Sequence, residues 1–72
     1  MRGNFFYEKL GKNLSKVRRK YRLSQRCLAF LTHIDRTYLI RLEKGKVNPS
    51  IKTLYRLCRC MRVKVREIVK DL

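Results

Sequence analysis

The side chains with the clearest chemistry in this sequence are its cations. Twenty lysines and arginines stand against five aspartates and glutamates, which gives a formal net charge of +15 at pH 7. Charge of one sign repels itself in a compact chain, and a polyanionic partner would relieve that repulsion. Nucleic acid is the first candidate partner and an anionic membrane surface is the second. A merely soluble basic protein is the remaining alternative.

Two groups of these cations stand out, and the second recurs at a spacing of three or four residues, which places its members on one helix face. One group lies near the start of the chain: Lys9, Lys12, Lys16, Arg19 and Lys20. Another lies in the second half: Arg56, Arg59, Arg62 and Arg66. Such faces form either an auxiliary electrostatic surface or an ordinary solvated face, and the spacing alone fits both interpretations.

Residues that usually bind metals or catalyse reactions are few. The cysteines are Cys27, Cys58 and Cys60, and His33 is the single histidine. Cys58 and Cys60 are too closely spaced for a usual zinc site. We therefore predict no metal, no cofactor and reduced cysteines that act as small hydrophobic residues. The sequence also lacks paired carboxylates, a Ser-His-Asp or Cys-His set and a glycine-rich phosphate loop, so we predict that it is not an enzyme.

The elements that must position the cations are predicted from apolar spacing, which indicates an all-α chain of five short helices in one compact bundle. The first helix is expected from Phe6 to Tyr21, with these residues facing inward: Phe6, Leu10, Leu14, Val17 and Tyr21. Ser24 is the predicted N-cap of a second helix that continues to Leu31. A short break at residues 32–34 follows.

The second half of the chain continues the pattern. Asp35 is the predicted N-cap of a third helix, Arg36 to about Lys44, and Gly45 ends it in the left-handed conformation. Ser50 is the predicted cap of a fourth helix with this inward set: Ile51, Leu54, Leu57, Cys58 and Met61. A last helix is expected over about Lys64–Leu72, with Val65, Ile68, Val69 and Leu72 on one side.

Two short helices joined by such a break describe a helix-turn-helix. Four motifs stand in one register around it: Ser24-Gln25, Leu28-Ala29, Arg36-x-Tyr38 and Glu43-x-Gly45-Lys46-x-x-Pro49-Ser50. The sequence resembles the Xre family, the relatives of the lambdoid phage repressors and Cro, over residues 8–72. The resemblance implies a lambda repressor-like DNA-binding domain at residues 8–72, preceded by an N-terminal arm at residues 1–7.

The resemblance also assigns roles to individual residues. It implies base contacts by these residues of the third helix: Arg36, Thr37, Ile40 and Arg41. Arginine suits guanine O6 and N7, and a threonine methyl suits thymine. It implies phosphate contacts by Gln25, Arg18, Tyr38, Lys44, Gly45 and Lys46, with Tyr38 packing at the rim as an alternative. It further implies an ion pair between Arg18 and Glu43. The simpler alternative is that both side chains are solvated charges.

Four positions depart from the family pattern. His33, Arg22 and Arg62 stand where glycine is usual, and Lys64 stands where a Ser or Asp cap is usual. We expect His33 to be a strained turn residue, with a pH sensor or metal ligand as the alternative. Because each replacement costs about 0.5–1 kcal/mol, these positions should lower the stability and leave the fold intact.

We therefore predict a sequence-specific transcriptional regulator, in the first instance a repressor. It would bind double-stranded DNA in the cytoplasm and would have no membrane partner. It would act as a homodimer, formed through apolar residues of the last helix such as Val65, Val69 or Leu72. One alternative is an antitoxin-type module that binds a protein partner as well as its operator. The other is a non-specific cationic binder of nucleic acid or of a membrane surface.

Overall fold

The computed structural model describes the backbone of residues 2–72 and the side-chain environments of residues 5–72. The described chain is all-α, and the five predicted helices are confirmed. They are α1 (Arg2–Lys20), α2 (Gln25–Thr32), α3 (Arg36–Glu43), α4 (Ile51–Met61) and α5 (Arg66–Val69). No described helix has the length and apolar character needed to cross a membrane.

The three predicted N-caps are confirmed by hydrogen bonds from backbone amides to cap side chains. The Cys27 amide donates to Ser24 Oγ at 2.9 Å. The Tyr38 amide donates to Asp35 Oδ2 at 3.2 Å, and the Thr53 amide donates to Ser50 Oγ at 3.1 Å. Each bond satisfies an amide that the first turn of a helix leaves without a partner, so α2, α3 and α4 begin where the sequence places them.

The outermost helices have different bounds from those predicted. Helix α1 begins at Arg2 instead of Phe6, so residues 2–7, which we expected to be an arm, are helical; residue 1 lies outside the described residues. Apolar spacing detects only the buried part of a helix, and no proline stops α1 from extending beyond the core. Helix α5 covers only Arg66–Val69, because Lys70 is extended and Asp71 has a φ of 63°. The proposed domain division at residue 8 stays a prediction.

The core is a cluster of aliphatic side chains with one cysteine: Leu10, Leu14, Leu28, Ala29, Leu39, Leu42, Leu54, Leu57, Cys58, Met61 and Ile68. Of the residues that we predicted to face inward in the first and fourth helices, Val17 is only partly buried and packs against this cluster, and three others are exposed. Phe6 and Tyr21 are each 46% exposed, and Ile51 is 69% exposed. All three lie in the first or last turn of the helices as predicted from the sequence, where periodicity no longer reports burial.

The cysteines divide by environment. Cys58 is buried, and loss of hydration there raises the pKa of its thiol from 9.0 to about 11, so it remains a neutral thiol near pH 7. Cys60 is partly buried, with Sγ 3.6 Å from the Leu31 carbonyl oxygen. Cys27 is exposed, so the expected role of a small hydrophobic residue does not fit it. It occupies the solvent side of α2, whose core side is made by Leu28 and Ala29.

Helix α1 is the central support, since it packs against both α3 and α5. Its Gly11 allows the closest approach: a Cβ at this position would lie 2.5 Å from the Glu43 carbonyl oxygen. Gly45, which has a φ of 77°, would bring a Cβ within 2.6 Å of Glu8 Cα. The end of α3 therefore touches α1 backbone to backbone, and larger residues at either glycine would push the two helices apart.

Asn13 fixes α5 to α1. This buried side chain donates from Nδ2 to the carbonyl oxygens of Ile68 at 2.8 Å and Lys70 at 3.0 Å. The last carbonyls of a helix lack partners within the helix, and Asn13 supplies one donor group for two such oxygens. The sequence carries no local signal for this contact, because its partners lie more than fifty residues away.

Candidate nucleic-acid interface

Helices α2 and α3 pack against each other and are joined by a tight turn at residues 33–35. His33 has φ 60° and ψ 32°, the left-handed conformation that was expected at this position. The Ile34 amide donates to the Ala29 carbonyl oxygen at 3.1 Å, which closes the end of α2 in a Schellman-type turn. The chain is thus redirected within three residues, and Asp35 begins α3 at once.

The outer face of α3 carries the four residues expected to contact bases: Arg36, Thr37, Ile40 and Arg41. At about 100° per residue they lie within about 140° of one another around the helix. Arg36, Thr37 and Arg41 are exposed and Ile40 is partly buried. The opposite face, with Leu39 and Leu42, is fully buried. The fold therefore presents two guanidinium groups and a hydroxyl on one exposed helical face.

Tyr38 lies to the side of this face. It is partly buried and packs against the hydrophobic core, which agrees with the rim position given as the alternative to a phosphate contact. Its backbone amide is occupied by the Asp35 cap.

The segment after α3 exposes two cations, Lys44 and Lys46. The Gly45 amide donates to the Leu42 carbonyl oxygen at 3.1 Å, and the Lys46 amide donates to the Arg41 carbonyl oxygen at 2.9 Å. Gly45 is itself buried. The expected phosphate contact by Gly45 does not fit this arrangement, because its amide already caps α3. The segment can meet phosphates through the two lysine side chains.

A buried ion pair links α1 to the end of α3. Arg18 Nε lies 2.7 Å from Glu43 Oε2, and Arg18 Nη2 lies 2.9 Å from Oε1 of the same carboxylate. The two side chains are only 9% and 6% exposed, so the pair is not formed by two solvated charges. Arg18 Nη1 also donates to the Leu23 carbonyl oxygen at 2.8 Å, which fixes the segment before α2.

Gln25 joins the same group. Its Nε2 donates to Glu43 Oε1 at 2.9 Å. A side-chain amide nitrogen carries two hydrogens, so this bond orients Gln25 and leaves the second hydrogen for another acceptor. Glu43 belongs to α3 and accepts hydrogen bonds from Arg18 of α1 and from Gln25, the first residue of α2. It therefore holds the three helices in one arrangement. The Gln25–Glu43 bond was not predicted from the sequence.

A shallow concavity of about 460 Å³ lies between the N-terminal ends of α2 and α3, lined by Arg18, Ser24, Gln25, Arg26 and Arg36. Arg26 was missed by the sequence analysis. A usable signal existed: neither helix has an acidic residue in its first turn, and each carries an arginine there. A cation is unfavourable at the positive end of a helix dipole, whereas a bound anion is favourable. The arrangement therefore suits a phosphate group.

Comparison with known proteins agrees with this geometry. Residues 14–68 match the family model HTH_3, described as helix-turn-helix. An HTH-type transcriptional regulator of Archaeoglobus fulgidus is 34% identical over 55 residues, which cover 76% of this chain and 78% of the relative. The immunity repressor protein of Bacillus phage phi105 is 30% identical over 62 residues, which cover 86% of this chain and 43% of the repressor.

Solved structures give the same result. The restriction-modification controller protein C.AhdI from Aeromonas hydrophila superposes with a TM-score of 0.83 at 34% identity, covering 86% of this chain and 94% of that protein. The clp gene regulator ClgR from Corynebacterium glutamicum gives a TM-score of 0.86 at 26% identity, covering 89% and 82%. The matched region contains α2, α3 and the buried pair that joins them to α1. This chain therefore belongs to the HTH_3 family of helix-turn-helix proteins.

Proposed function

We propose that this DNA-binding transcriptional regulator places α3 in the major groove of duplex DNA and represses transcription from the site it binds. One observation carries the proposal: Arg36, Thr37 and Arg41 share an exposed face of α3, directly beside a cationic concavity at the ends of α2 and α3. The name of the phage phi105 relative, an immunity repressor, supports repression. The family consists of DNA-binding regulators and not of enzymes.

Base reading is assigned to the outer face of α3. Arg36 and Arg41 each donate two hydrogen bonds to guanine O6 and N7, which in the major groove identify that base. The Thr37 methyl group contacts thymine, and its hydroxyl accepts from or donates to a neighbouring base. Ile40 is partly buried between them, so its exposed part provides an apolar contact.

Phosphate contacts position this face. We assign them to Gln25, Arg26, Lys44 and Lys46, which flank α3 on both sides. Gln25 offers the amide hydrogen that Glu43 does not use. Arg18 is only 8% exposed and three of its nitrogens are already bonded, so its role is to hold Glu43 and Gln25 in place. Phosphate contacts set the register, and base contacts select the sequence.

The regulator is proposed to act as a homodimer on two half-sites, since a single short helix reads few base pairs and two-fold operators match two-fold proteins. Val65 and Val69, named as candidate dimer residues, are partly buried against the core, whereas Leu72 is 44% exposed. Leu72 is therefore the residue whose change to aspartate should weaken the dimer. Sedimentation velocity of wild type and Leu72→Asp, over a range of concentrations, tests this assignment.

The test of base reading is selection from a randomised duplex pool at about 150 mM salt, where non-specific phosphate attraction is weak. Wild type is compared with Arg36→Ala and Arg41→Ala, and with Lys12→Ala as a control that removes an equal charge from the exposed side of α1. The proposal expects one enriched motif that each α3 variant relaxes at particular base pairs and that the control leaves intact. Equal motifs for all four proteins, or none for wild type, would refute it.

A further inference from the structure

We propose that the groove between α1 and α5 is a second nucleic-acid-binding surface, which holds the backbone of another DNA duplex independently of α3. Two adjoining cavities of about 270 Å³ and 260 Å³ form this α1–α5 groove, and both are lined by Val17, Lys20 and Glu67. Its walls carry six cations: Lys16, Lys20, Arg62, Lys64, Arg66 and Lys70.

The groove is separate from the candidate base-reading surface. None of its lining residues lines the concavity between α2 and α3. Lys16 and Lys20 are each two residues from Arg18, so they lie about 160° from it around α1. Arg18 faces Glu43 at the end of α3, whereas the two lysines face α5. One straight duplex lying along α3 therefore does not reach both surfaces.

The charge in the groove is strongly unbalanced. Six cations are accompanied by one acidic residue, Glu67. The salt bridge found among the described side chains joins Arg18 to Glu43 outside the groove, so the groove cations are not neutralised by the described carboxylates. Lys16 and Lys20 are one turn apart and repeat their charge about 6 Å along α1. Repeated cations along a concave surface raise the local potential and attract an extended polyanion.

The backbone conformation of Arg62 is a second observation, independent of the number of charges. It occupies the left-handed region at the end of α4, with φ 60° and ψ 41°, and it is exposed at the groove. Glycine takes this conformation without strain, whereas arginine does not. The strained residue supplies a cation that glycine would lack. That cation lies where five others already repel it, which is consistent with a bound anion.

Nucleic acid fits this groove better than a membrane does. Binding in a membrane interface needs a broad exposed apolar face, whereas the apolar residues Val17 and Val63 lie partly buried in the groove. A DNA backbone instead offers a row of phosphates and needs no apolar contact. The protein binds one duplex through α3 in the proposed function, and a second duplex held behind α1 would link two DNA segments.

The experiment measures whether the protein links two duplexes. Wild type is bound to an immobilised duplex, and capture of a second, fluorescent duplex is followed as sodium chloride is raised. The test variant is Lys16→Gln with Lys20→Gln. The control is Lys12→Gln with Arg59→Gln, which removes the same charge from exposed positions outside the groove. Melting curves check that both proteins are folded.

We expect wild type and control to capture the second duplex and the groove variant to capture it much more weakly. The negative slope of log K against log salt for the second duplex should become shallower by about 1.8 in the groove variant, because two phosphate contacts are removed. The motif selected from a randomised pool should stay unchanged in the groove variant. Arg36→Ala with Arg41→Ala should do the opposite, losing the motif and retaining a groove that binds DNA, so the two proposals fail separately.

Arg62→Gly provides an independent variant, because it removes a groove cation and relieves backbone strain in one change. It should raise the melting temperature and weaken capture of the second duplex. Equal capture by wild type and both groove variants, or no capture by wild type, would overturn the proposal. The proposal would also be overturned if wild type, and not the groove variants, bound a polyglutamate peptide while capturing no second duplex. That result would assign the groove to an acidic protein.

Discussion

At the scale of single residues, Glu43 is the acid on which the most contacts depend. Its carboxylate accepts two bonds from Arg18 and one from Gln25, in a site from which water is almost excluded. A buried pair of this kind adds little net stability over an apolar pair, yet removing one partner leaves an uncompensated charge. Glu43 therefore matters through the arrangement it enforces on three helices.

Glu43→Ala should lower the free energy of unfolding by about 3–5 kcal/mol, because Arg18 then remains buried without a partner. Urea denaturation measures this loss. Lys12→Ala, which removes an exposed charge from α1, is the control and should change stability little. The double variant Arg18→Met with Glu43→Leu should recover most of the stability. A Glu43→Ala protein as stable as wild type would show that the pair is not structural.

His33 is the second residue whose effect is local. It holds a left-handed conformation, which costs a side chain with a Cβ about 1 kcal/mol more than it costs glycine. His33→Gly should therefore raise the melting temperature by roughly 4–8 °C per kcal/mol gained, as expected for a domain of this size. Lys12→Gly, within α1, should lower it. A lower melting temperature for His33→Gly would mean that the imidazole makes a stabilising contact.

At the scale of helices, sequence reasoning succeeded where the determinants are local. Ser24, Asp35 and Ser50 cap the helices that follow them because the acceptor and the amide are three residues apart. Helix bounds were wrong at the two ends of the chain, where Phe6 and the residues after Val69 lie outside the packed core. Apolar periodicity reports burial, and it loses its signal where a helix leaves the core.

The contacts between helices were less accessible to sequence reasoning. Asn13 and Gly11 carry no local mark of their roles, since their partners lie on α5 and α3. The ion pair of Arg18 and Glu43 was expected only through the family resemblance. The exposed face of α3 follows from helical spacing, whereas the concavity with Arg26 depends on how α2 meets α3 in space.

Gly11 gives the prediction for helix packing. A Cβ there meets the backbone carbonyls of Glu43 and Leu42 at 2.5 Å and 2.6 Å, which no side-chain rotation can relieve. Gly11→Ala should therefore cost about 1–3 kcal/mol, despite the better helix propensity of alanine. Ser15→Ala is the matched control in α1 and should be neutral or stabilising. A stabilised Gly11→Ala protein would contradict the close packing of α1 on α3.

At the scale of the whole molecule, the excess of cations is the dominant property. A net charge of +15 on 72 residues opposes the compact state, and it favours every surface that can meet phosphate. The fold gathers some of these cations at the concavity between α2 and α3 and others in the α1–α5 groove, while Lys12 and Arg59 lie exposed outside both. The core and the buried pair must hold the chain together against this repulsion.

Stability should consequently rise with salt. Raising sodium chloride from about 50 mM to about 300 mM shortens the screening length and weakens repulsion among exposed cations, whereas the buried pair is screened little. Thermal melts followed by circular dichroism should show an increasing melting temperature over this range. Lys16→Gln with Lys20→Gln should flatten that dependence. A melting temperature that falls with salt would show that attractive surface pairs outweigh the repulsion.

The most direct test of the central claim, that α3 reads bases in the major groove, is methylation interference on the selected duplex. Guanine N7 lies in the major groove, where an arginine donates to it. Methylation of N7 should block wild-type binding at particular guanines, and Arg36→Ala or Arg41→Ala should each remove the block at its own guanine. Interference that is absent, or that is identical for wild type and both variants, would contradict the account.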